Sequence, residues 1–268
     1  MGRLVFGVTD MGGVVPDIVS TTGLRKEFRG FAAVRDVDLR VADGSVHALV
    51  GPNGAGKTTL FNMLTGFLTP SAGRIEIAGR DVTGLAPERI AKIGVARSFQ
   101  ITTLFPALTA RDHVELALQA RTTLGWRFWR SDKQLRRFRD RADELLGEVG
   151  LAEQRLADVP AGVLAYGRKR ALELAVALAL DPRLLLLDEP TAGMGAEDID
   201  STVALVKRVA AGRTVVLVEH NMSVVGSLAD RVTVLQQGRV LVEGPYVEVR
   251  ADPRVITAYL GEPDAAHP

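Results

Sequence analysis

The sequence predicts an α/β fold, in which helices cover a parallel sheet and a helical segment is inserted into the core. In the first and last thirds of the 268-residue chain, short apolar segments typical of buried strands alternate with segments of helical spacing. From about 109 to 150 the strand signals stop, and the pattern is helical and rich in charge. We therefore expect a loose extension at 1–16, an α/β core at 17–100 and 166–268, and a helical subdomain at 101–165.

The composition excludes several classes of protein. The chain is 47% hydrophobic, carries 33 basic against 32 acidic residues and has no cysteine, so disorder and a disulfide framework are excluded. The balanced charge argues against a nucleic-acid partner. The most apolar stretch, 172–187, is interrupted by Glu173, Asp181 and Arg183 and is too short to span a bilayer. With no export signal, we expect a cytoplasmic protein, whose true start is Met1 or Met11.

The first third is predicted to contain mostly strands. β-branched and alternating patterns, separated by Gly30, by Asp43 with Gly44 and by Gly73, indicate strand segments. The predicted strands are 22–28, 33–41, 46–50 and 71–78. Helical spacing of Leu60 and Phe67 predicts a helix at 58–68, and a shorter helix is predicted at 86–94.

The last third returns to strict alternation of strand and helix. The predicted helices are 168–180, 198–211 and 222–229, and the predicted strands are 184–187, 214–219 and 231–235. The segment 184–187 consists of four leucines, a continuous apolar run of the kind that parallel sheets bury on both faces.

A phosphate-binding motif follows the strand predicted at 46–50. The pattern G-x-x-x-x-G-K-[ST] is matched by Gly51, Pro52, Asn53, Gly54, Ala55, Gly56, Lys57 and Thr58. We call residues 51–58 the phosphate loop. In this motif, glycines let backbone N–H groups and a helix N-terminus face the phosphates. Lys57 is then expected to contact the β- and γ-phosphates of a nucleotide, and the Thr58 hydroxyl to ligate Mg²⁺.

Two carboxylates end the strand predicted at 184–187. Asp188 is placed to reach the metal shell beside a phosphate loop. Glu189 points the other way along the pleat and is predicted to act as a general base on the attacking water. His220 follows the next apolar strand, at the position from which a histidine can donate to a γ-phosphate.

These elements, in this order, resemble those of the ATP-binding-cassette (ABC) ATPases. The resemblance implies that the fold also contains an antiparallel β subdomain. The resemblance implies that Gln100 is the glutamine that links the metal site to the helical subdomain, and that His220 is the switch histidine. It further implies that Phe28 stacks on adenine, with Phe31 as a rival and a core phenylalanine as the alternative. The implied cofactors are ATP and Mg²⁺.

The family signature departs from its usual Leu-Ser-Gly-Gly-Gln. The matching residues are Leu164, Ala165, Tyr166, Gly167 and Arg168, and we call them the signature segment. In the family, this segment completes the ATP site of a second subunit. The usual serine hydroxyl is absent at Ala165, which leaves the backbone N–H groups around Gly167 and the helix N-terminus as the anion site. Gly195 also stands where an aspartate is usual.

With these departures, the signature segment resembles that of one branch of the family, the ATP-binding subunits of branched-chain (hydrophobic) amino-acid importers. Further matches include Thr59 after the phosphate loop, and the segments 64–67, 219–222 and 258–262. The resemblance covers about 18–262. It implies an ATPase on the inner face of the cell membrane that works with a second cassette, with permease subunits and, indirectly, with a periplasmic binding protein.

Other functions stay open at this stage. The cargo could be urea or another short amide, and an exporter ATPase is the nearest neighbouring class. A soluble ABC ATPase acting on DNA or the ribosome is disfavoured, because a single cassette here has an insertion of only about 65 residues. Intact Gln100, Glu189 and His220 argue against a scaffold that binds nucleotide without hydrolysis.

A segment rich in tryptophan and arginine lies in the helical subdomain. It contains Trp126 and Trp129 and continues through basic residues to Arg141. The simplest interpretation is a helical hairpin with inward aromatics and a solvated basic face. Contact with the membrane-spanning partners is the alternative.

Overall fold

The structure is a computed structural model and describes residues 15–98, 104–121 and 132–260. The first range begins with a strand hairpin, continues through the phosphate loop and ends at a short strand. Its strands are β1 (Asp17–Phe28), β2 (Phe31–Ala42), β3 (Val46–Val50), β4 (Ala72–Ile77), β5 (Arg80–Asp81) and β6 (Val95–Ser98). Its helices are α1 (Lys57–Leu64) and α2 (Pro87–Lys92).

Helices dominate the middle of the chain. They are α3 (Ala110–Arg121) and α4 (Asp132–Glu148), followed by short 3-10 helices at Glu153–Asp158 and Ala161–Val163, and then by α5 (Tyr166–Ala179). The subdomain boundaries at 101 and 165 stay a prediction. Of the helices in the described ranges, none combines the length and the apolarity that a membrane crossing requires.

The last part alternates strand and helix, as the sequence predicts. Its elements are β7 (Leu184–Asp188), α6 (Ala196–Ala210), β8 (Thr214–Val218), α7 (Met222–Leu228), β9 (Arg231–Gln236), β10 (Arg239–Gly244), α8 (Tyr246–Ala251) and α9 (Pro253–Leu260).

The strands form two sheets. The larger has the order β10-β9-β3-β8-β7-β6, and its pairs are parallel except for β9 with β10. The smaller is antiparallel, in the order β2-β1-β4-β5. The predicted fold class, with an antiparallel β subdomain beside an α/β core, is confirmed. Because β3, β8 and β7 are parallel neighbours, the loops that follow them meet at one edge of the sheet.

The larger sheet is buried on both faces. Along β7, Leu185 and Leu187 pack into one core together with residues of α3 to α7, whereas Leu184 and Leu186 pack into a second core with α1, α2 and the antiparallel sheet. This two-sided burial explains why the strand is a continuous apolar run rather than an alternating one.

Helix α1 is shorter than the sequence predicts. The helical spacing placed its end at Leu68, but it ends at Leu64, because Gly66 adopts a φ of 76° that stops the helix. Phe67 is consequently exposed instead of lying on the buried face. The sequence analysis also missed the strands β5, β6 and β10 and the helices α8 and α9.

A buried histidine lies in the centre of the larger sheet. His47 on β3 donates from Nε2 to the Thr233 hydroxyl at 2.8 Å, since that hydroxyl donates its own proton to Glu243 at 3.0 Å. The His47 Nδ1 atom is buried and has no hydrogen-bond partner among the residues that the structure describes. Burial, assisted by Arg231, lowers the pKa of His47 to about 4, and Glu243 opposes this shift.

The free energy of unfolding should therefore decrease at acidic pH. The unfolded chain binds a proton on His47 near pH 6.5, but the folded chain binds it only near pH 4, so stability is lost as the pH falls between these values. From pH 7 to pH 5 the expected loss is about 2 kcal/mol. Urea denaturation at both pH values measures it. The His47→Gln variant should lack this component, and an unchanged pH dependence in that variant would contradict the assignment.

Candidate nucleotide-binding and catalytic site

The phosphate loop joins β3 to α1, and glycines allow its backbone to fold tightly. Gly51 has a φ of 148°, and a Cβ atom there would lie 2.1 Å from the carbonyl oxygen of Leu235. Gly56 has a φ of 104°, and its Cβ atom would lie 2.5 Å from the carbonyl oxygen of Ala33. A side chain at either position would therefore disrupt the loop, whose backbone packs directly against β9 and β2.

The N-terminus of α1 is suited to an anion. Gly56 is its N-cap, no side chain caps the helix, and no acidic residue lies in its first turn. The first N–H groups of α1 are thus available to donate hydrogen bonds to an anion. Thr58 is exposed at the same end. Backbone donors, a hydroxyl and a nearby lysine form the set that a nucleotide phosphate and its Mg²⁺ ion need, so the loop fits both.

Lys57 lies folded against the loop. Its Nζ atom donates to the carbonyl oxygens of Gly51 at 2.7 Å and of Pro52 at 3.0 Å. Burial lowers the pKa of Lys57, whereas the carboxylates of Glu189 and Asp188 oppose the shift. Lys57 therefore lies within electrostatic range of both carboxylates that the sequence analysis selected.

Asp188 ends β7 and is held by a residue that the sequence analysis missed. Its Oδ2 atom accepts from Nη2 of Arg97 at 2.5 Å, and Nη1 of the same guanidinium donates to Asn62 Oδ1 at 2.6 Å. The guanidinium also lies 5.6 Å from the centre of the Phe61 ring. Arg97, on β6, therefore ties the carboxylate of Asp188 to α1, and Oδ1 of Asp188 has no hydrogen bond to another described residue.

Glu189 and His220 form a direct pair. Nε2 of His220 lies 2.6 Å from Oε1 of Glu189, and the histidine donates because the carboxylate can only accept. Glu189 has a φ of 48°, so its backbone leaves the pleat on which the sequence argument placed it. A non-glycine residue in this left-handed region costs about 1–2 kcal/mol. Such strain persists only where neighbouring contacts enforce it.

The signature segment lies at the start of α5. Leu164 is buried, whereas Ala165, Tyr166 and Arg168 are exposed and Gly167 is half-buried. Ala165 is the N-cap of α5, and no side chain in the described ranges caps this helix.

The Tyr166 hydroxyl connects the signature segment to the loop after β7. It donates to the carbonyl oxygen of Ala192 at 3.2 Å, and it accepts from Nη2 of Arg170 at 3.2 Å. Gly195, in place of the usual aspartate, is the N-cap of α6.

Both candidate stacking phenylalanines lie at the tip of the β1–β2 hairpin. Phe28 is 42% exposed and Phe31 is 62% exposed, so the alternative of a core phenylalanine is wrong for both. Nζ of Lys26 lies 5.2 Å from the centre of the Phe28 ring.

Some residues of the sequence analysis lie outside the described residues. These are Gln100, Met1, Met11, Trp126 and Trp129. Their expected roles stay predictions. Of the basic residues that follow the tryptophans, Arg141 lies on α4, where its guanidinium pairs with Glu144 at 2.6 Å.

Two family sequence models match different parts of the chain, and both describe ABC transporter proteins. The sequence model of the family described as ABC transporter matches residues 34–192, and that of the branched-chain amino acid ATP-binding cassette transporter matches residues 239–265. The chain is 39% identical to the high-affinity branched-chain amino acid transport ATP-binding protein BraF of Pseudomonas aeruginosa, covering 91% of this chain and 98% of that protein. It is 37% identical to LivG of Escherichia coli, with the same coverage.

Solved structures agree with the fold. One is the ADP conformation of an ATP-binding cassette of an ABC transporter, which superposes with a TM-score of 0.80 at 28% identity and covers 92% of this chain and 100% of that one. Another is a dimeric post-hydrolysis state of an ATP-binding cassette bound to ADP and Pi, with a TM-score of 0.71 at 28% identity over 85% of this chain and 98% of that one.

Proposed function

Because this chain belongs to the ABC transporter family, we propose that it is the ATP-hydrolysing subunit of an importer for branched-chain or other hydrophobic amino acids. The observation that carries the hydrolytic role is the 2.6 Å contact between Glu189 and His220 beside the phosphate loop. The cargo is inferred from BraF and LivG, whose names describe branched-chain amino acid transport, and from the match at residues 239–265.

The phosphate loop would hold the triphosphate. Its N–H groups and the N-terminus of α1 face the phosphate oxygens, and Lys57 would exchange its contacts with loop carbonyls for the β- and γ-phosphates. The Thr58 hydroxyl and the Oδ1 atom of Asp188 would hold Mg²⁺, with Gln100 as a further ligand that the family resemblance implies. When bound there, Mg²⁺ would neutralise negative charge on the β- and γ-phosphates.

Hydrolysis would then require an aligned water and a base. Glu189 accepts a proton from this water as its oxygen forms a bond to the γ-phosphorus, while the bond from the γ-phosphorus to the bridging oxygen breaks and ADP leaves. His220 donates to Glu189 and so fixes the direction of the carboxylate. Lys57 stabilises the negative charge of the transferring phosphoryl group.

A second cassette would complete the site. The phosphate loop leaves one side of the triphosphate open, and the uncapped, exposed N-terminus of α5 in a facing subunit offers N–H donors to that side. The signature segment of each chain would thus act on the ATP of the other. ATP would close this pair, and hydrolysis would reopen it.

The transport partners follow from this role. The chain would bind permease subunits on the cytoplasmic face of the membrane, and a periplasmic binding protein would deliver the cargo to the permeases.

The cargo can be tested by reconstituting the chain with the permease subunits and the binding protein with which it is proposed to work. Leucine, isoleucine or valine on the binding protein should stimulate phosphate release from ATP, and urea should not. Stimulation by urea alone would support the short-amide importer instead. Cargo movement away from the ATP-containing side without any binding protein would indicate an exporter.

Removal of the proposed adenine-stacking ring should weaken ATP binding. Phe28→Ala is expected to lose about 1–3 kcal/mol of ATP affinity, because stacking on a base is worth about this much. Titration with a fluorescent ATP analogue measures it. Phe31→Ala, on the same hairpin, is the matched control and should change affinity little. Equal losses in both variants, or a loss of affinity for inorganic triphosphate, which has no base, would contradict the role of Phe28.

A further inference from the structure

A buried carboxylate joins the two loops that carry Glu189 and His220. Glu219 directly follows β8 and is only 3% exposed. Its Oε1 atom accepts from the backbone N–H of Thr191 at 3.0 Å and from the Thr191 hydroxyl at 2.6 Å. Its Oε2 atom accepts from the N–H groups of His220 at 3.0 Å and of Asn221 at 3.3 Å. Each oxygen therefore anchors one loop.

Hydrogen-bond donors, rather than a cation, balance this charge. In the described part of the chain, no lysine, arginine or histidine forms a salt bridge with Glu219. A buried carboxylate without a cationic partner is costly unless its oxygens are satisfied, and here the donors come from two separate segments. The contact between Glu219 and Thr191 joins residues 28 positions apart. A bond of this kind restrains the loops relative to each other.

The anchored positions are close to the catalytic pair. Thr191 lies two residues after Glu189, whose left-handed φ of 48° needs restraint. The N–H of Ala192 donates to the carbonyl oxygen of Glu189 at 3.1 Å, which closes the turn between them. On the other side, His220 is bound to the Glu219 carboxylate through its own backbone N–H. Movement of one loop relative to the other would therefore change the contact between Glu189 and His220.

We infer that Glu219 is a positioning residue whose carboxylate fixes the loop of Glu189 against the loop of His220 and so sets their 2.6 Å contact. Glu219 touches neither nucleotide nor water in this account, and it acts through the pair. The inference rests on the proposed hydrolysis.

Because four donors bind the Glu219 carboxylate, the isosteric variant Glu219→Gln is the most informative one. In Glu219→Gln, an NH₂ group replaces one acceptor oxygen and must face the donors of either Thr191 or of His220 and Asn221. If the NH₂ faces His220 and Asn221, their N–H groups lose their acceptor; if it faces Thr191, the hydroxyl can turn and accept from it, but the Thr191 N–H loses its acceptor. One of the two anchors is therefore weakened although size and shape are kept. Thr191→Val removes only the hydroxyl contact, and Thr191→Ser keeps it.

The kinetic test measures phosphate release by the reconstituted transporter. Glu219→Gln should lower kcat about tenfold or more and leave the KM for ATP within about twofold, because nucleotide contacts are untouched. Thr191→Val should show a smaller loss of the same kind, and Thr191→Ser should restore activity. Glu243→Gln, which alters a carboxylate that accepts from Thr233 away from the site, is the control and should retain wild-type rates.

A second measurement does not depend on hydrolysis. The ring resonances of His220, assigned by their loss in His220→Ala, should shift in Glu219→Gln, whereas those of His47 should not. An unchanged His220 resonance, or a kcat within about twofold of wild type, overturns the inference. A wild-type transporter that releases no phosphate overturns the proposed function, while the histidine resonances still test the positioning role.

Discussion

The Glu189→Gln variant is expected to bind ATP with near wild-type affinity and to hydrolyse it at least about 100-fold more slowly. The amide keeps the size of the side chain but cannot accept the proton of the attacking water. Because ATP closes the cassette pair and hydrolysis reopens it, the variant should accumulate as an ATP-bound dimer. Phosphate release by the reconstituted transporter gives the rate, and size-exclusion chromatography with ATP gives the dimer.

The matched control is Glu248→Gln, which removes an exposed carboxylate on α8 and should leave both measurements unchanged. Full steady-state hydrolysis by Glu189→Gln would exclude Glu189 as the general base. Loss of ATP binding together with hydrolysis would show that the residue supports the phosphate loop instead.

The Lys57→Ala variant should lose nucleotide affinity itself. Lys57 is the charged side chain of the phosphate loop, and hydrogen bonds to charged groups contribute about 1.5–3 kcal/mol each. The dissociation constant for ATP, measured by fluorescent-nucleotide titration, should therefore rise by about one to two orders of magnitude.

The control for this variant is Lys92→Ala on α2, which removes an exposed ammonium and should leave the dissociation constant unchanged. A dissociation constant for Lys57→Ala within about twofold of wild type would mean that the backbone donors hold the phosphates alone. Because ADP lacks the γ-phosphate, a difference between the affinity that Lys57→Ala loses for ATP and the affinity it loses for ADP would separate the contact with the γ-phosphate from that with the β-phosphate.

Local patterns were sufficient to predict the larger features of the molecule. The phosphate loop was found because its glycines, Lys57 and Thr58 are adjacent in sequence and follow an apolar strand. The strand β7 was found because burial on both faces leaves a run of leucines. Such features depend on residues within about ten positions, and a single sequence displays them directly.

Features fixed by distant partners could not be predicted in this way. Arg97 lies 91 positions before Asp188, and its role became visible only where β6 pairs with β7. In the sequence, Glu219 looks like an ordinary polar residue at the end of a strand. The Thr191 hydroxyl and N–H that it binds belong to another loop, 28 positions away. A charged residue that ends an apolar strand was the only signal in the sequence, and its burial was not deducible from it.

Element ends were also difficult to predict. Leu60 and Phe67 fit one helical face, yet the positive φ of Gly66 ends the helix before Phe67. Within the short strand β6, Arg97 conceals the apolar pattern, and its contacts with Asn62 and Asp188 offset part of the cost of its burial.

The most direct test of the central claim is the uptake of radiolabelled leucine by proteoliposomes that contain the assembled transporter, with ATP enclosed on the side of this chain and loaded binding protein outside. If ATP hydrolysis by this chain powers the import of branched-chain amino acids, leucine should accumulate with the wild-type chain and not with Glu189→Gln. Wild-type uptake no greater than that of Glu189→Gln would contradict the claim.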